Sequence, residues 1–333
     1  MSEYNVIKES KILVTGGAGF IGSNLCENLL QNGNQVVCFD NFSTGKRENI
    51  NQFLKNSDFN LIEGDIRNLQ DCQVAIHEVD IVLHQAALGS IPRSIEDPIT
   101  TNEVNINGFL NMLIVSSDAG VKRFVYACSS STYGDHPDLP KVENIIGRPL
   151  SPYAITKYAN ELYAKVFSEI RGLETIGLRY FNVFGPRQAT DGAYAAAIPK
   201  FVKNLINHES PIIYGDGEQS RDFTYIENVI QMNNLAATTS NKKALNEIYN
   251  VAYGDSSTIN ELLSSLRDLL SNFDKKINEV VPDYQLARKG EVRHSLASIK
   301  KGETLLEYQP RFSLSQGLSK AIPWYWDYFA NNK

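Results

Sequence analysis

Short apolar runs alternate with longer helical patterns through the first half of the chain. Six runs have the continuous apolar character of buried parallel strands, at 11–15, 35–39, 60–63, 80–84, 123–127 and 175–179. Helical periodicity is clearest at 23–31, 98–119 and 153–171. Because strands alternate with helices, the pattern predicts an α/β fold with a parallel sheet that is covered on both faces.

The pattern changes after residue 182. Gly185-Pro186 breaks the chain, and shorter helices and strands follow, near 198–207, 212–214, 223–226, 228–238 and 259–270. We therefore predict a Rossmann-type, doubly wound parallel sheet in residues 1–182 and a smaller, mixed α/β C-terminal substrate domain in 183–333. Segments near 223–251, with Ile248–Val251 as the strand-like candidate, are expected to return to the main sheet.

Length and composition narrow the classes of protein. A chain of 333 residues is long for a single core, and its formal net charge of −6 gives no electrostatic case for nucleic acid or an anionic membrane. Neither an apolar signal segment nor a run of 18 apolar residues occurs in the sequence. The four cysteines form no C-x-x-C pair, and the five histidines show no H-E-x-x-H spacing. We expect a cytoplasmic protein with buried thiols, no metal site and no membrane contact.

A glycine turn joins the first strand to the first helix. Gly16, Gly19 and Gly22 have the spacing G-x-x-G-x-x-G, which lets a pyrophosphate approach the helix N-terminus. Asp40 ends the second strand, where a carboxylate accepts both adenosine ribose hydroxyls and repels a 2′-phosphate. The pattern favours NAD, although Lys46 and Arg47 keep NADP open and Asp40 could also be an ordinary turn residue.

Tyr153 and Lys157 are the candidate catalytic pair. At i and i+4 they share one helix face, so the ammonium can stabilise a phenolate and make the tyrosine a base. The same spacing also arises by chance on surface helices. Ser129, at the end of the fifth strand, could relay the proton, whereas a structural role in satisfying loop amides is the alternative for this serine-rich end.

Several motifs together resemble one known family. Thr15–Gly22, Asp40-Asn41, Ser129 and Tyr153-x-x-x-Lys157 resemble the extended short-chain dehydrogenase/reductase family over nearly the whole chain. Stretches 180–187 and 215–223 are similar to its sugar-nucleotide branch. Stretches 86–94, 129–137 and 192–199 resemble its bacterial UDP-N-acetylglucosamine 4-epimerases, which serve polysaccharide biosynthesis.

The resemblance implies roles at matching positions. Catalysis would fall to Tyr153, Lys157 and Ser129. The residues that would contact NAD are Gly16, Gly19, Phe20, Ile21, Gly22, Asp40, Asn41, Ser43, Thr44, Gly45, Asp65, Ile66, Gln85, Ala86, Ala87, Asn105, Tyr153, Lys157, Tyr180 and Val183. Those that would face a UDP-sugar are Ser90, Ser129, Ser130, Tyr153, Asn182, Ala196, Ala197, Tyr214, Arg221, Arg288, Glu291 and Ser295. Helices 98–119 and 153–171 would form a homodimer interface.

The implied activity is a redox-neutral 4-epimerisation of UDP-N-acetylglucosamine and UDP-N-acetylgalactosamine through a 4-keto sugar. Ser295 stands where a large aromatic residue would exclude an N-acetyl group, although an ordinary surface serine is an equal alternative. Ser130 and Ser131 replace the carboxylates of the related dehydratases, which argues against dehydration. The other open readings are a UDP-glucose/galactose or UDP-hexuronic acid 4-epimerase, a sugar-nucleotide dehydratase or decarboxylase, and a non-enzymatic NAD-binding regulator.

Overall fold

The computed structural model describes residues 4–188, 196–287 and 292–331. The strands are β1 (Lys11–Thr15), β2 (Gln35–Asp40), β3 (Phe59–Glu63), β4 (Ile81–His84), β5 (Arg123–Ser129), β6 (Thr175–Tyr180), β7 (Val183–Phe184), β8 (Ile212–Tyr214), β9 (Ser220–Arg221), β10 (Thr224–Tyr225), β11 (Glu247–Val251), β12 (Ser257–Thr258) and β13 (Asp283–Gln285). The helices are α1 (Phe20–Gln31), α2 (Leu69–Ala75), α3 (Ile91–Glu96), α4 (Pro98–Asn102), α5 (Phe109–Asp118), α6 (Pro152–Arg171), α7 (Ala197–Ile206), α8 (Ile226–Thr238), α9 (Ile259–Leu270), α10 (Lys300–Leu306) and α11 (Leu314–Asn331).

Seven strands form the central sheet, in the order β3-β2-β1-β4-β5-β6-β11. Every neighbouring pair is parallel, as the continuous apolar runs predict. The strand order reverses between β1 and β4, and ligands bind in the crevice at such a switch point. The segment Ile248–Val251 lies in β11 and pairs with β6, so the predicted return of a late strand to the main sheet is observed.

Successive strand residues supply two cores on opposite faces of the sheet. Leu13 packs with residues of α2, α5 and α6, whereas the adjacent Val14 packs with residues of α1 and α8. The hydrophobic core on the Val14 face is continuous with buried residues of α7, α9 and α11. The C-terminal elements therefore share a core with the sheet, and the division into domains at residue 182 stays a prediction.

The helix predicted over 98–119 is not a regular α-helix. A π-helical turn, Glu103–Gly108, separates α4 from α5. Within this turn the Asn105 side-chain amide donates to the Leu88 carbonyl oxygen, at 3.1 Å, and to Thr156 Oγ1, also at 3.1 Å. The wider turn therefore coincides with a side-chain bridge between the loop after β4 and α6, which periodicity alone does not reveal.

The remaining small ladders organise the C-terminal half. β7 pairs with β10 and β8 with β13 in parallel, while β9 pairs with β12 in antiparallel orientation. All four cysteines are free and buried, as predicted. Within the described residues no helix combines the length and apolar character needed to cross a bilayer.

Candidate functional site

The glycine turn lies at the crevice between β1 and β4. Gly16 has φ +65°, and a Cβ added there would approach the Ala86 backbone nitrogen to 2.8 Å. A Cβ on Gly22 would lie 2.1 Å from the Gly16 carbonyl oxygen, so both positions exclude a side chain. A Cβ on Gly19, at the N-cap of α1, would approach only that same oxygen, at 3.1 Å. The open side of this turn fits a pyrophosphate at the helix N-terminus.

Asp40 is held at the end of β2 by two main-chain amides. Its Oδ2 accepts from Ala18 N at 2.9 Å and its Oδ1 accepts from Phe42 N at 2.8 Å. Burial raises the pKa of the Asp40 carboxyl, and these two hydrogen bonds oppose that rise. The fixed carboxylate keeps lone pairs for ribose hydroxyls. Lys46 donates to the Tyr328 hydroxyl, and Arg47 pairs with Glu63, so both cations have protein partners.

A second carboxylate closes the far end of the same crevice. Asp65 accepts from Asn41 Nδ2 at 2.9 Å and pairs with Arg67. Hydrogen bonds from Arg67 are the main reason that the pKa of Asp65 is lowered, to about 2. Asp65 is therefore ionised at neutral pH and is fixed as a hydrogen-bond acceptor.

These features line a cleft of about 390 Å³, which we call the dinucleotide cleft. The predicted site residues that line it are Gly16, Gly19, Phe20, Ile21, Gly22, Asp40, Asn41, Ser43, Thr44, Asp65, Ile66, Gln85, Ala86, Ala87, Ser129, Tyr153, Lys157, Tyr180, Asn182 and Val183. Two predicted NAD contacts lie outside this lining. Gly45 is next to the Asp40 carboxylate, because a Cβ added there would lie 2.9 Å from each of its oxygens. Asn105 is buried and bridges Leu88 and Thr156.

Tyr153 and Lys157 project from the first turns of α6 into the dinucleotide cleft. The helix begins there because Ser151 Oγ accepts from Ala154 N at 3.1 Å and Pro152 occupies the first position. The Lys157 ammonium donates to the Ala127 carbonyl oxygen of β5 at 2.9 Å. Burial lowers the pKa of Lys157 to about 8.

The electrostatics of Tyr153 differ from the expectation that Lys157 lowers its pKa. Among the protein groups burial dominates and raises the pKa of Tyr153, while a hydrogen bond with Ser129 opposes this rise. Ser129 Oγ in turn accepts from Ser131 N at 3.2 Å and from Ser131 Oγ at 2.9 Å.

Two further cavities adjoin the dinucleotide cleft. The larger, about 630 Å³, is lined by six serines and is called the serine cavity; its predicted residues are Ser90, Ser129, Ser130, Tyr153, Asn182, Arg221 and Ser295. The smaller, about 220 Å³, is called the C-terminal cavity; its predicted residues are Asn182, Ala196, Ala197, Tyr214 and Arg221. Arg288 and Glu291 lie outside the described residues.

A buried ion pair close to Lys157 was not predicted from the sequence. The Arg179 guanidinium binds the Glu161 carboxylate through two hydrogen bonds, of 2.8 and 2.7 Å, and both side chains are about 95% buried or more. Glu161 lies one turn after Lys157 and raises its pKa, partly offsetting burial. The sequence signal that could have indicated Glu161 is its spacing, since a residue four positions after Lys157 lies on the same face of the helix.

Comparison with known proteins agrees with this geometry. The family model described as the NAD dependent epimerase/dehydratase family matches residues 12–252. A putative UDP-glucose 4-epimerase of Methanocaldococcus jannaschii is 35% identical, over 94% of this chain and 97% of its own.

Two solved structures share the whole architecture. The UDP-N-acetylglucosamine 4-epimerase of Methanobrevibacter ruminantium, in complex with UDP-N-acetylmuramic acid, is 38% identical with a TM-score of 0.89 and coverage of 96% and 99%. The UDP-glucuronic acid 4-epimerase of Bacillus cereus, with UDP-glucuronic acid and NAD, is 33% identical with a TM-score of 0.85 and coverage of 95% and 98%. The match to the family model, the glycine turn and the fixed Asp40 carboxylate agree on NAD as the cofactor, and the chain belongs to the NAD-dependent epimerase/dehydratase family.

Proposed function

We propose that the chain interconverts UDP-N-acetylglucosamine and UDP-N-acetylgalactosamine. Its relatives support the broader activity, 4-epimerisation of UDP-sugars, since several of them carry that name. The observation that carries the proposal is the position of Tyr153. Its side chain lines both the dinucleotide cleft and the serine cavity, so it lies where a nicotinamide and a sugar would meet.

The proposed chemistry assigns Tyr153 as the base. Tyr153 accepts the proton of the sugar 4-hydroxyl, and Ser129 hydrogen-bonds the same oxygen. NAD, held by the glycine turn and Asp40, supplies a reversible hydride acceptor for carbon 4. Lys157 donates to the Ala127 carbonyl near the end of β5, and the proposal assigns it to favour the phenolate form of Tyr153 once NAD is bound. When the hydride returned to the opposite face of the sugar, Tyr153 would give its proton back to the 4-oxygen, and the epimer would result.

The nucleotide is assigned to the C-terminal cavity. Arg221 lines both this cavity and the serine cavity, so its guanidinium is placed to bind a pyrophosphate between them. Ala196, Ala197 and Tyr214 supply the far wall for uridine. Anchoring the diphosphate there leaves the sugar free to turn between its two faces.

The lining of the serine cavity supports the proposal that the substrate carries an N-acetyl group. Ser295 lines it together with Tyr153, and serine leaves room for an N-acetyl group that a bulky side chain would occupy. Within the described part of the chain, the lining of this cavity contains no Asp or Glu. A dehydration needs a general acid and base besides the tyrosine, so this lining favours an epimerase over a dehydratase.

The test is incubation of the purified protein with UDP-N-acetylglucosamine, without added NAD. Proton NMR should show the anomeric signal of the galacto product growing until a constant ratio is reached. UDP-glucose and UDP-glucuronic acid serve as parallel substrates. Faster conversion of either of them would overturn the N-acetylhexosamine assignment, and no conversion of any UDP-hexose would overturn the epimerase.

A homodimer is part of the proposal. One face of α6 exposes Ile155, Leu162, Val166 and Ile170, which are 46–68% exposed and recur at helical spacing. Ile99 on the adjacent α4 is 71% exposed and enlarges this apolar face. A second copy of the chain would cover it by placing the same helices together. Light scattering should give twice the chain mass for the wild type and the chain mass for an Ile170→Glu variant.

A further inference from the structure

Asp222 is a buried carboxylate that lies outside all three cavities. It follows Arg221 at the end of β9 and has no exposed surface. Its oxygens accept three main-chain N–H groups, from Tyr253 at 3.1 Å, Gly254 at 3.2 Å and Ala297 at 3.2 Å. No ion pair to this carboxylate occurs among the residues that the structure describes, so its charge is balanced by these amides alone.

The three amides belong to two segments that are distant in sequence. Tyr253 and Gly254 follow β11, the last strand of the central sheet. Ala297 is the last residue of 293–297, which we call the Ser295 segment. That segment is also held at its beginning, because Ser220 N donates to the Arg293 carbonyl oxygen and Ser295 N donates to the Ser220 carbonyl oxygen. The Asp222 side chain therefore ties the Ser295 segment to the edge of the sheet.

The main chain of Asp222 makes a third link. Its carbonyl oxygen accepts from Asn182 Nδ2 at 3.2 Å, and Asn182 lines all three cavities. One residue thus connects Asn182, Arg221 and Ser295, which come from three separate stretches of the chain. Each of these three residues faces the proposed UDP-sugar site, while Asp222 itself touches none of the cavities.

We infer that Asp222 is a positioning residue that sets the geometry of the sugar side of the site. The inference rests on the proposed UDP-sugar binding and adds a residue that acts only through others. Replacement of one carboxylate oxygen by an amide NH2 leaves at least one of the three N–H groups without an acceptor and loosens the Ser295 segment. The consequence is weaker substrate binding with the reacting groups, Tyr153 and Ser129, still in place.

Burial of the carboxyl raises the pKa of Asp222 to about 7, the three amides lower it, and the nearby Asp255 raises it. Because the net shift is upward, the cost of burying the charge exceeds the gain from the three hydrogen bonds. By linkage, a fall in pH does not release the segment. The contact is therefore tested through the acceptor oxygens of Asp222 and not through pH.

The first experiment compares two matched aspartates by KM and kcat. Asp222→Asn should raise KM about ten- to thirtyfold, as expected for the loss of hydrogen bonds to a charged group, with kcat within about threefold and NAD content unchanged. Asp216→Asn is the control, because Asp216 is 54% exposed and binds Arg293 of the same segment from outside. Its KM should stay within about twofold. An unchanged KM in folded Asp222→Asn would overturn the inference.

The second experiment uses hydrogen exchange in the wild type and does not depend on a variant that folds. The Ala297 amide, which donates to the buried Asp222 carboxylate, should be protected from exchange. An unprotected Ala297 amide in the wild type would overturn the inference. In His294→Gln, which removes the ring that bonds Ser220 Oγ, the protection of the Ala297 amide should persist. Loss of that protection in His294→Gln would show that His294 holds the segment and would overturn the role of Asp222. Wild-type binding of UDP, measured by calorimetry, separates this result from failure of the proposed function, which no UDP binding would indicate.

Discussion

The dinucleotide cleft and the serine cavity share Tyr153 but are built in different ways. The cleft is formed by the ends of adjacent parallel strands and by glycines whose backbone permits no side chain. The serine cavity takes its residues from separate loops, held together by two-residue ladders and by the buried Asp222. The dinucleotide cleft, or cofactor side, is therefore fixed by the main fold. The serine cavity, or sugar side, depends on a few long-range contacts, so its geometry is easier to change by substitution.

The shared tyrosine should show the largest effect. Tyr153→Phe removes the proposed base and should lower kcat about 10²- to 10⁴-fold while NAD stays bound, because the cleft is otherwise intact. Proton NMR gives the rate, and the nucleotide released on denaturation gives the NAD content. Tyr163→Phe removes an exposed hydroxyl from the same helix and serves as the control. Near-normal turnover by Tyr153→Phe would contradict the role of Tyr153 as the base shared by the dinucleotide cleft and the serine cavity.

Substitution in the buried Glu161–Arg179 ion pair tests how strongly the stability of the fold around the dinucleotide cleft depends on that pair. Glu161→Gln leaves the Arg179 charge unpaired in the core, and the free energy of unfolding should fall by about 3–5 kcal/mol. Asp118→Asn breaks the exposed pair with Arg171 and should cost less than about 1 kcal/mol. Urea denaturation measures both values. Equal losses would mean that burial of the Glu161 pair is unimportant.

Substrate choice is the smallest expected effect and belongs to the sugar side alone. Ser295→Tyr should lower kcat/KM for UDP-N-acetylglucosamine about tenfold more than for UDP-glucose, a difference of about 1.4 kcal/mol. Ser295→Ala, which changes no volume of consequence, should leave the ratio of the two kcat/KM values as in the wild type. A parallel fall for both sugars in Ser295→Tyr would argue against a specificity role.

The difference between local elements in the dinucleotide cleft and distant loops in the serine cavity also determines what could be predicted from the sequence. Local patterns gave the six strands, the glycine turn and the positions of Asp40 and Tyr153, since each depends on neighbours along the chain. The sequence could not predict that Lys157 donates to the Ala127 carbonyl, or that burial dominates the pKa of Tyr153. That outcome depends on the depth of the site rather than on spacing.

The sugar side was reached mainly through the family resemblance. Ser90, Asn182, Arg221 and Ser295 lie far apart in sequence, and no periodicity connects them. The bond between Asp222 and Ala297 spans 75 residues and has no local signature. The π-helical turn at Glu103–Gly108 was missed for the same reason, because its side-chain partners come from other parts of the chain.

The late arrival of β11 has a consequence for synthesis of the chain. β6 is buried along its whole length, and its outer edge is completed only by Glu247–Val251. During translation this edge must stay unpaired until residue 251 has left the ribosome, with its N–H and C=O groups open to other strands. A fragment that stops at residue 182 would keep that edge permanently, so we expect it to aggregate rather than to form a free dinucleotide-binding unit.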